Sequence, residues 1–353
     1  MPMSTVLLII TMAMLLHCHS IEDVIQKEAS LKIFVYDLPV SLNKGILSEI
    51  KHTFAPDKCT DFSQRGMGSE IDNYQNLQNI SIRNTHQFSL EIILHNKLLD
   101  SRYRTLNPNE ADIFYIPAYA GIKCMSNKAW FSEKYLDEYL KTLEIFLSNQ
   151  SYYRQGKPHI SSVGKIHREM AAPGCEYLFH PITKNITFLA IEKETSDYLS
   201  YFHFQQNAAQ SLIVVPYPSY FHFTGEYTLP NEPGKVRDII ILYPVGISHF
   251  PEIRAVLNEQ FIYKTQLPYD TFISSNHTSD TNMVQIYTTD CSIDSVKTLV
   301  TWMKHSVFCL QPPGDSPTRK SFYDSILLGC IPVIFIDNEI PYAFPSFLDY
   351  YDI

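Results

Sequence analysis

The stretch from Phe308 to Phe335 decides the fold of this chain; it reads FCLQPPGDSPTRKSFYDSILLGCIPVIF. An apolar run is followed by a turn of two prolines and a glycine, which is typical of a buried strand that ends at a loop. Ser316 is a favourable N-cap with a proline after it, so a helix is predicted from there to Leu328. Gly329 favours a left-handed helix end, and the apolar run that follows predicts another buried strand. Strand, helix and strand in this order are the building unit of parallel α/β sheets.

Two cations, Arg319 and Lys320, stand in the first turn of this predicted helix. Positive charge there opposes the positive end of the helix dipole and costs a few tenths to ~1 kcal/mol. An anion bound at the helix N-terminus would offset that cost, because free backbone N–H groups point outward there. A diphosphate would satisfy them together, with Arg319 as a bidentate donor. In the alternative interpretation Arg319 is solvated and Lys320 pairs with Asp324 one turn later, and the residues leave both open.

Short apolar strands alternate with amphipathic helices in the rest of the chain, which predicts parallel sheets covered on both faces. Strand patterns cover residues 31–38, 111–117, 186–191, 211–215 and 238–244, and helical periodicity covers residues 87–99, 130–147 and 291–307. A cluster of prolines, polar residues and a glycine at 229–234 separates two such blocks. We therefore predict an α/β protein of two Rossmann-like domains, residues 28–228 and 235–353, that face each other across a cleft.

Composition supports a folded protein and limits its partners. The chain has 353 residues, which is room for two domains, and 45% of them are hydrophobic. The formal net charge of −9 argues against nucleic acid as a partner, because phosphate-backbone binding requires a basic surface. A small anionic ligand needs a local cluster of donors and stays possible.

The N-terminus has the features of a targeting segment. An apolar run from Val6 to Leu16 predicts a signal peptide or a short signal anchor within residues 1–20. Six cysteines follow Cys18, an even number that permits disulfides, and no CxxC pair indicates structural zinc. Four Asn-x-Ser/Thr sequons are candidate N-glycosylation sites: Asn79, Asn149, Asn185 and Asn276. These features together predict passage through the secretory pathway.

The run Gln-Pro-Pro-Gly-Asp-Ser-Pro-Thr-Arg-Lys-Ser, closed by Gly-Cys-Ile-Pro-Val, resembles the nucleotide-sugar motif of the exostosin glycosyltransferases. It is nearest to their plant xyloglucan galactosyltransferase branch. Residues 84–91, 111–121 and 156–166 resemble other segments of the family, and the likeness spans most of residues 31–338. The resemblance implies a GT-B fold and inverting transfer of a sugar from a UDP-sugar to a glycan hydroxyl, in the Golgi lumen or at its membrane. The alternative is a catalytically silent subunit, in an oligomer with related transferases, or a non-functional copy.

The resemblance also assigns residues to nucleotide-sugar binding, and all but one lie in the quoted stretch. They are Gly314, Asp315, Ser316, Arg319, Lys320, Ser321, Asp324 and, from the first domain, Lys165. The cations would hold the diphosphate and stabilise the leaving nucleotide, so no metal or other cofactor is expected. A disulfide between Cys291 and Cys309 fits the family pattern, and the alternative for Cys309 and Cys330 is a pair of buried free thiols.

Inverting transfer requires a general base that deprotonates the acceptor hydroxyl. The candidates are His159, Glu91 and Asp37. Each also has a structural interpretation: a core histidine, a helix carboxylate and a turn residue at a strand end. The residues do not decide between the two roles.

Two features depart from the family pattern. Pro158 stands before His159 where the family has an acidic residue, so the donor or acceptor is expected to differ. The chain ends at Ile353, soon after the last predicted strand, and we expect the second domain to be truncated at its C-terminus.

Overall fold

A computed structural model describes residues 31–53, 60–71, 80–125, 136–170, 174–193, 211–223, 237–245, 252–260, 284–288, 292–314, 316–335 and 343. Several predicted features lie outside the described residues: the targeting segment, the 229–234 boundary, Asn79, Asn276, Cys291 and Asp315. Among the described helices, none combines the length and apolar character needed to cross a membrane.

The described strands include all those predicted from the sequence and five others. They are β1 (Ile33–Val35), β2 (Ile80–Ile82), β3 (Arg104–Thr105), β4 (Ile113–Ile116), β5 (His159–Val163), β6 (Ile186–Ala190), β7 (Leu212–Val214), β8 (Phe221–Phe223), β9 (Ile239–Val245), β10 (Val284–Thr288), β11 (Ser306–Gln311) and β12 (Ile331–Ile334). The α-helices are α1 (Lys44–Thr53), α2 (Leu90–Leu99), α3 (Ala120–Lys123), α4 (Asp137–Ser148), α5 (Ser151–Arg154), α6 (Glu252–Asn258), α7 (Ile293–His305) and α8 (Lys320–Leu327).

The first sheet contains six parallel strands in the order β3-β1-β4-β5-β6-β7. Its central strands β4 and β5 are buried along their whole length, as parallel strands covered on both faces are. The polar residues of β5 are satisfied inside the core. Ser161 donates to the carbonyl of Ile116 at 2.9 Å, and the hydroxyls of Ser162 and Tyr115 lie 2.7 Å apart.

The second sheet is also parallel, with the order β10-β9-β11-β12. The predicted strand–helix–strand unit is present in it as β11, α8 and β12, so the α/β class is confirmed. Gly329 has a φ of 69°, the left-handed value predicted for the residue after the helix. The strand β7, before the undescribed 229–234 segment, belongs to the first sheet, and β9, after it, belongs to the second. The two domain ranges themselves stay a prediction.

The start of α8 differs from the prediction. The helix begins at Lys320 and Arg319 is its N-cap, with an extended backbone at φ −147° and ψ 148°. Ser316 and the proline after it were predicted to begin the helix and instead belong to the preceding loop. The reason is non-local, because Thr318 donates its backbone N–H and its hydroxyl to Glu192 of the first sheet. Arg319 is therefore at the helix boundary and not inside the first turn.

The disulfide prediction is wrong. Cys309 of β11 is bonded to Cys330, which directly precedes β12, and a second disulfide joins Cys124 to Cys175. Adjacent parallel strands bring Cys309 and Cys330 to a Cα–Cα distance of 5.8 Å, within the range a disulfide requires. Cys309 is thus not available to Cys291, and the free-thiol alternative for Cys309 and Cys330 is also wrong.

Candidate functional site

Ligands of parallel α/β proteins bind beyond the carboxyl ends of the strands. In the first sheet these ends lead to Lys165 after β5, Glu192 after β6 and Tyr217 after β7. In the second sheet the end of β11 leads to residues 312–319, which we call the phosphate loop after the role that the resemblance predicts for it, and then to α8. One apolar cluster packs the two edges together; it contains Ile166, Ile191, Val214, Tyr217, Phe322, Tyr323 and Ala343. The carboxyl edge of the first sheet therefore contacts α8.

Two arginines hold the phosphate loop through its carbonyl groups. Arg319 donates to the carbonyl of Pro244 at 3.0 Å and to that of Pro312 at 3.4 Å. Arg254 of α6, which is 4% exposed, donates to the carbonyl of Pro313 at 2.6 Å. Burial lowers the pKa of Arg319, and the nearby positive charge of Arg254 lowers it further, so the two cations repel each other.

Gly314 lies against Arg254. A Cβ atom at position 314 would lie 3.0 Å from a terminal nitrogen of Arg254, so a larger residue would crowd the guanidinium group. Ser316 is buried at 8% exposure, and its hydroxyl donates to the carbonyl of Thr318 at 3.4 Å. Asp315 lies outside the described residues, and its predicted role stays a prediction.

Lys320 is the first residue of α8 and its amino group is buried. It donates to Asp324 at 2.9 Å, which is the ion pair of the alternative interpretation, and it lies over the ring of Tyr220. Burial lowers the pKa of Lys320 to about 8, while the charge of Asp324 acts in the opposite direction. Lys320 is therefore partly compensated, whereas the hydrogen-bond partners of the Arg319 side chain among the described residues are the carbonyl groups of Pro244 and Pro312.

Asp324 and Ser321 are already engaged within the protein. The carboxylate of Asp324 is 1% exposed and accepts hydrogen bonds from the hydroxyl of Ser219 at 2.6 Å and the N–H of Tyr220 at 3.3 Å. Ser321 donates to the side-chain oxygen of Gln311 at 2.6 Å. Both residues lie on α8 and their polar atoms connect it to its surroundings, so their role in nucleotide-sugar binding stays a prediction.

Glu192 is a site residue that the sequence reasoning missed. It is fully buried, and its Oε1 accepts from the N–H and from the hydroxyl of Thr318, each at 2.8 Å. Its Oε2 accepts from the hydroxyl of Tyr217 at 3.4 Å. The available signal was an acidic residue directly after a predicted apolar strand, at the edge where ligands bind.

Lys165 reaches the same edge from β5. It is 7% exposed, its amino group lies 2.8 Å from Glu169, and it stacks over the ring of Phe88. The buried oxygen of Glu169 in this ion pair has no well-aligned hydrogen bond in the described structure. The contact therefore rests on charge attraction more than on hydrogen-bond geometry.

Glu91 accepts hydrogen bonds from the N-terminal end of α3, beside the first sheet. It is fully buried, and its two oxygens accept the N–H groups of Gly121 at 2.8 Å and Ile122 at 2.9 Å. Burial raises the pKa of Glu91 to about 8, against the backbone N–H donors that lower it. A carboxylate committed to the N-terminus of α3 in this way is a capping group, which supports its structural interpretation.

His159 and Asp37 lie at opposite ends of their strands. His159 begins β5, about 13 Å from the carboxyl end of that strand by its length. Its Nδ1 donates to the carbonyl of Lys157 at 2.6 Å, so its Nε2 accepts from the hydroxyl of Tyr36 at 2.9 Å. Burial lowers the pKa of His159. Asp37 follows the carboxyl end of β1 and is exposed, which leaves its carboxylate accessible.

Two of the predicted N-glycosylation sites lie among the described residues. Asn149 and Asn185 are exposed, at the end of α4 and just before β6. Within the described ranges, no group of three or more His, Cys, Asp or Glu residues could hold a metal ion. Independence from metals stays a prediction.

Comparison with known proteins identifies the family. Residues 27–353 match the exostosin GT47 domain, and the chain belongs to this family. The xyloglucan-specific galacturonosyltransferase 1 of Arabidopsis thaliana is 29% identical over 324 residues, which are 86% of this chain and 43% of that protein. The xyloglucan galactosyltransferase XLT2 of the same plant is 30% identical over 318 residues, 86% of this chain and 57% of the relative. The chain thus spans about half the length of the curated relatives it matches. The family predicted from the motif is confirmed.

Proposed function

We propose that this chain is an inverting glycosyltransferase that transfers a sugar from a UDP-sugar to a glycan hydroxyl. The observation that carries the proposal is the cluster of three cations, Arg254, Arg319 and Lys320, around the phosphate loop of a chain whose net charge is −9. The site faces the carboxyl edge of the first sheet, where an acceptor would lie.

The diphosphate would bind between Arg319 and the first turn of α8. The first turn of α8 carries the positive end of the helix dipole, which favours a bound anion, and within it Phe322 donates its backbone N–H to the carbonyl of Arg319 at 3.2 Å. Arg319 is partly exposed, and its planar group offers two parallel donors to a phosphate. The negative charge of the ligand would relieve the repulsion between Arg254 and Arg319.

The reaction forms a bond between the acceptor oxygen and the anomeric carbon and breaks the bond from that carbon to the diphosphate. Negative charge develops on the leaving diphosphate, where Arg319 and Lys320 would stabilise it. The acceptor proton must pass to a base. We propose Asp37 for this role, because the other two candidates, Glu91 and His159, are engaged with backbone groups.

Asp37 and Lys165 both follow strands of the first sheet at its carboxyl edge. In the order β1-β4-β5, the carboxyl ends of β1 and β5 are separated by two strand spacings, about 10 Å. Asp37 and Lys165 would therefore border an acceptor site about as wide as one or two sugar rings. The two sheets would form the two Rossmann-like halves of a GT-B enzyme around it.

The proposed location is the secretory pathway. Two disulfides, Cys124–Cys175 and Cys309–Cys330, require an oxidising compartment, and the exposed sequons Asn149 and Asn185 are accessible to glycosylation. The N-terminal apolar run supports the same location.

The test is a transfer assay with the full chain secreted from cultured cells. UDP-galactose and UDP-galacturonic acid, chosen from the relatives' names, are incubated with xyloglucan oligosaccharides, with and without a chelator. We expect acceptor-dependent release of UDP that Asp37→Asn abolishes and the chelator leaves unchanged. UDP binding without turnover of any donor would indicate a silent subunit, and a folded chain that does neither would refute the proposal.

A further inference from the structure

We propose that Glu192 is a positioning residue that holds the phosphate loop in its binding shape from the opposite sheet; this inference rests on the proposed nucleotide-sugar site. Glu192 lies two residues after β6, and its contact to Thr318 spans 126 positions of the chain. It is fully buried, and one of its oxygens accepts two hydrogen bonds of 2.8 Å from Thr318.

The two bonds fix both the position and the orientation of Thr318. Because one comes from the backbone and the other from the side chain, the residue can neither rotate nor withdraw without breaking one of them. Hydrogen bonds to a charged acceptor are about twice as strong as neutral ones. Thr318 is 3% exposed, so without Glu192 its backbone N–H would be buried and unsatisfied.

The contact acts on the residue that binds the ligand. Thr318 directly precedes Arg319, whose extended backbone ends the loop and begins α8. Local sequence alone favours an earlier helix start at Ser316, which would place Arg319 in the first turn. By pulling Thr318 toward β6, Glu192 delays the helix and directs the Arg319 side chain toward Pro244 and Pro312.

The competing role for this carboxylate has the opposite consequence for binding. In that role Glu192 is an internal anion that competes with the diphosphate for the loop. Removing the charge would then strengthen nucleotide binding. A positioning residue instead needs its hydrogen-bond acceptor, which Gln keeps and Ala lacks.

The experiment compares Glu192→Ala, Glu192→Gln and Thr318→Val, which removes the hydroxyl and keeps the N–H, with the double variant Glu192→Ala/Thr318→Val. Glu138→Gln, a charge change on the exposed face of α4, is the control. Amide hydrogen exchange of residues 316–322 is measured in the unliganded full chain, and the Kd for UDP by calorimetry.

We expect faster exchange and UDP affinity weakened about tenfold or more in Glu192→Ala, with Glu192→Gln within about threefold of the unsubstituted protein. In the Glu192→Ala background, Thr318→Val should add little, because the two residues act as one unit. Unchanged exchange and affinity in Glu192→Ala, or tighter binding in both Glu192 variants, would overturn the inference. If the unsubstituted protein does not bind UDP, the proposed function fails, while the exchange data still decide whether Glu192 orders the loop.

Discussion

Glu91 and Glu192 are both buried carboxylates that accept backbone N–H groups, but the regions around them differ in charge. Glu91 caps α3 in an environment where polar atoms and donors are matched. Glu192 contacts the phosphate loop, around which three cations lie, and two of these, Arg254 and Arg319, donate to carbonyls of the loop. The comparison teaches that a buried titratable residue is weak evidence for function. Cations that cluster at the carboxyl edge of a parallel sheet are stronger evidence, because such a cluster favours a ligand of the opposite charge.

The largest expected effect is a difference in the free energy of unfolding between variants at Glu91 and variants at the phosphate loop. Glu91→Ala leaves two buried N–H groups of α3 without an acceptor, and we expect a loss of about 4 kcal/mol in the free energy of unfolding. Arg319→Ala should cost less than about 1 kcal/mol, because its partners are carbonyls near a partly exposed loop. Urea denaturation of both variants tests the contrast, and equal losses would show that the two regions do not differ in this way.

The two disulfides offer a second comparison. Cys124 and Cys175 are 51 residues apart in sequence, and replacing both by Ala should lower the free energy of unfolding by about 4 kcal/mol. Cys309 and Cys330 are 21 residues apart, and replacing both should lower it by about 3 kcal/mol. The second bond encloses the phosphate loop and α8. Calorimetry should therefore show weakened UDP binding for that pair, and binding near the unsubstituted level for the first. Equal effects on binding would contradict the assignment of the loop.

The smallest expected effect is a pH dependence with opposite signs for binding and stability. The pKa of Lys320 is lowered to about 8 from 10.5, so the amino group loses its charge as the pH rises through 8. UDP affinity should fall about tenfold between pH 7 and 9.5, the value of one charge-assisted contact. The contribution of Lys320 to stability should rise over the same range, because the unfolded chain binds more protons there.

The matched variant for this prediction is Lys320→Arg, whose guanidinium group stays protonated. Its UDP affinity should be nearly independent of pH between 7 and 9.5. A similar fall in affinity in both proteins would assign the titration to another group.

The sequence predicted the parts of this fold that depend on local patterns. The all-apolar runs before Pro117 and Pro244 predict β4 and β9, and Gly329 marks the end of α8, because chain geometry and burial determine these features locally. The start of α8 depends on Glu192, which is remote in sequence, and capping preferences cannot anticipate it.

The candidate site was predicted less completely for the same reason. Arg319 and Lys320 were identified because cations at a helix start are locally unfavourable. The pairing of Cys309 with Cys330 depends on the adjacency of β11 and β12, which the sequence does not specify. Arg254 was missed because it acts from another helix, through the carbonyl of Pro313.

The central claim is that the cations around the phosphate loop bind a nucleoside diphosphate. Its most direct test is calorimetric titration of UDP into the full chain and into the Arg319→Ala/Lys320→Ala variant, with Glu138→Gln as the control. We expect binding that weakens about a hundredfold or more in the double variant and is unchanged in the control, with circular dichroism showing that all three are folded. Equal UDP affinity in the double variant and the unsubstituted protein would contradict the account.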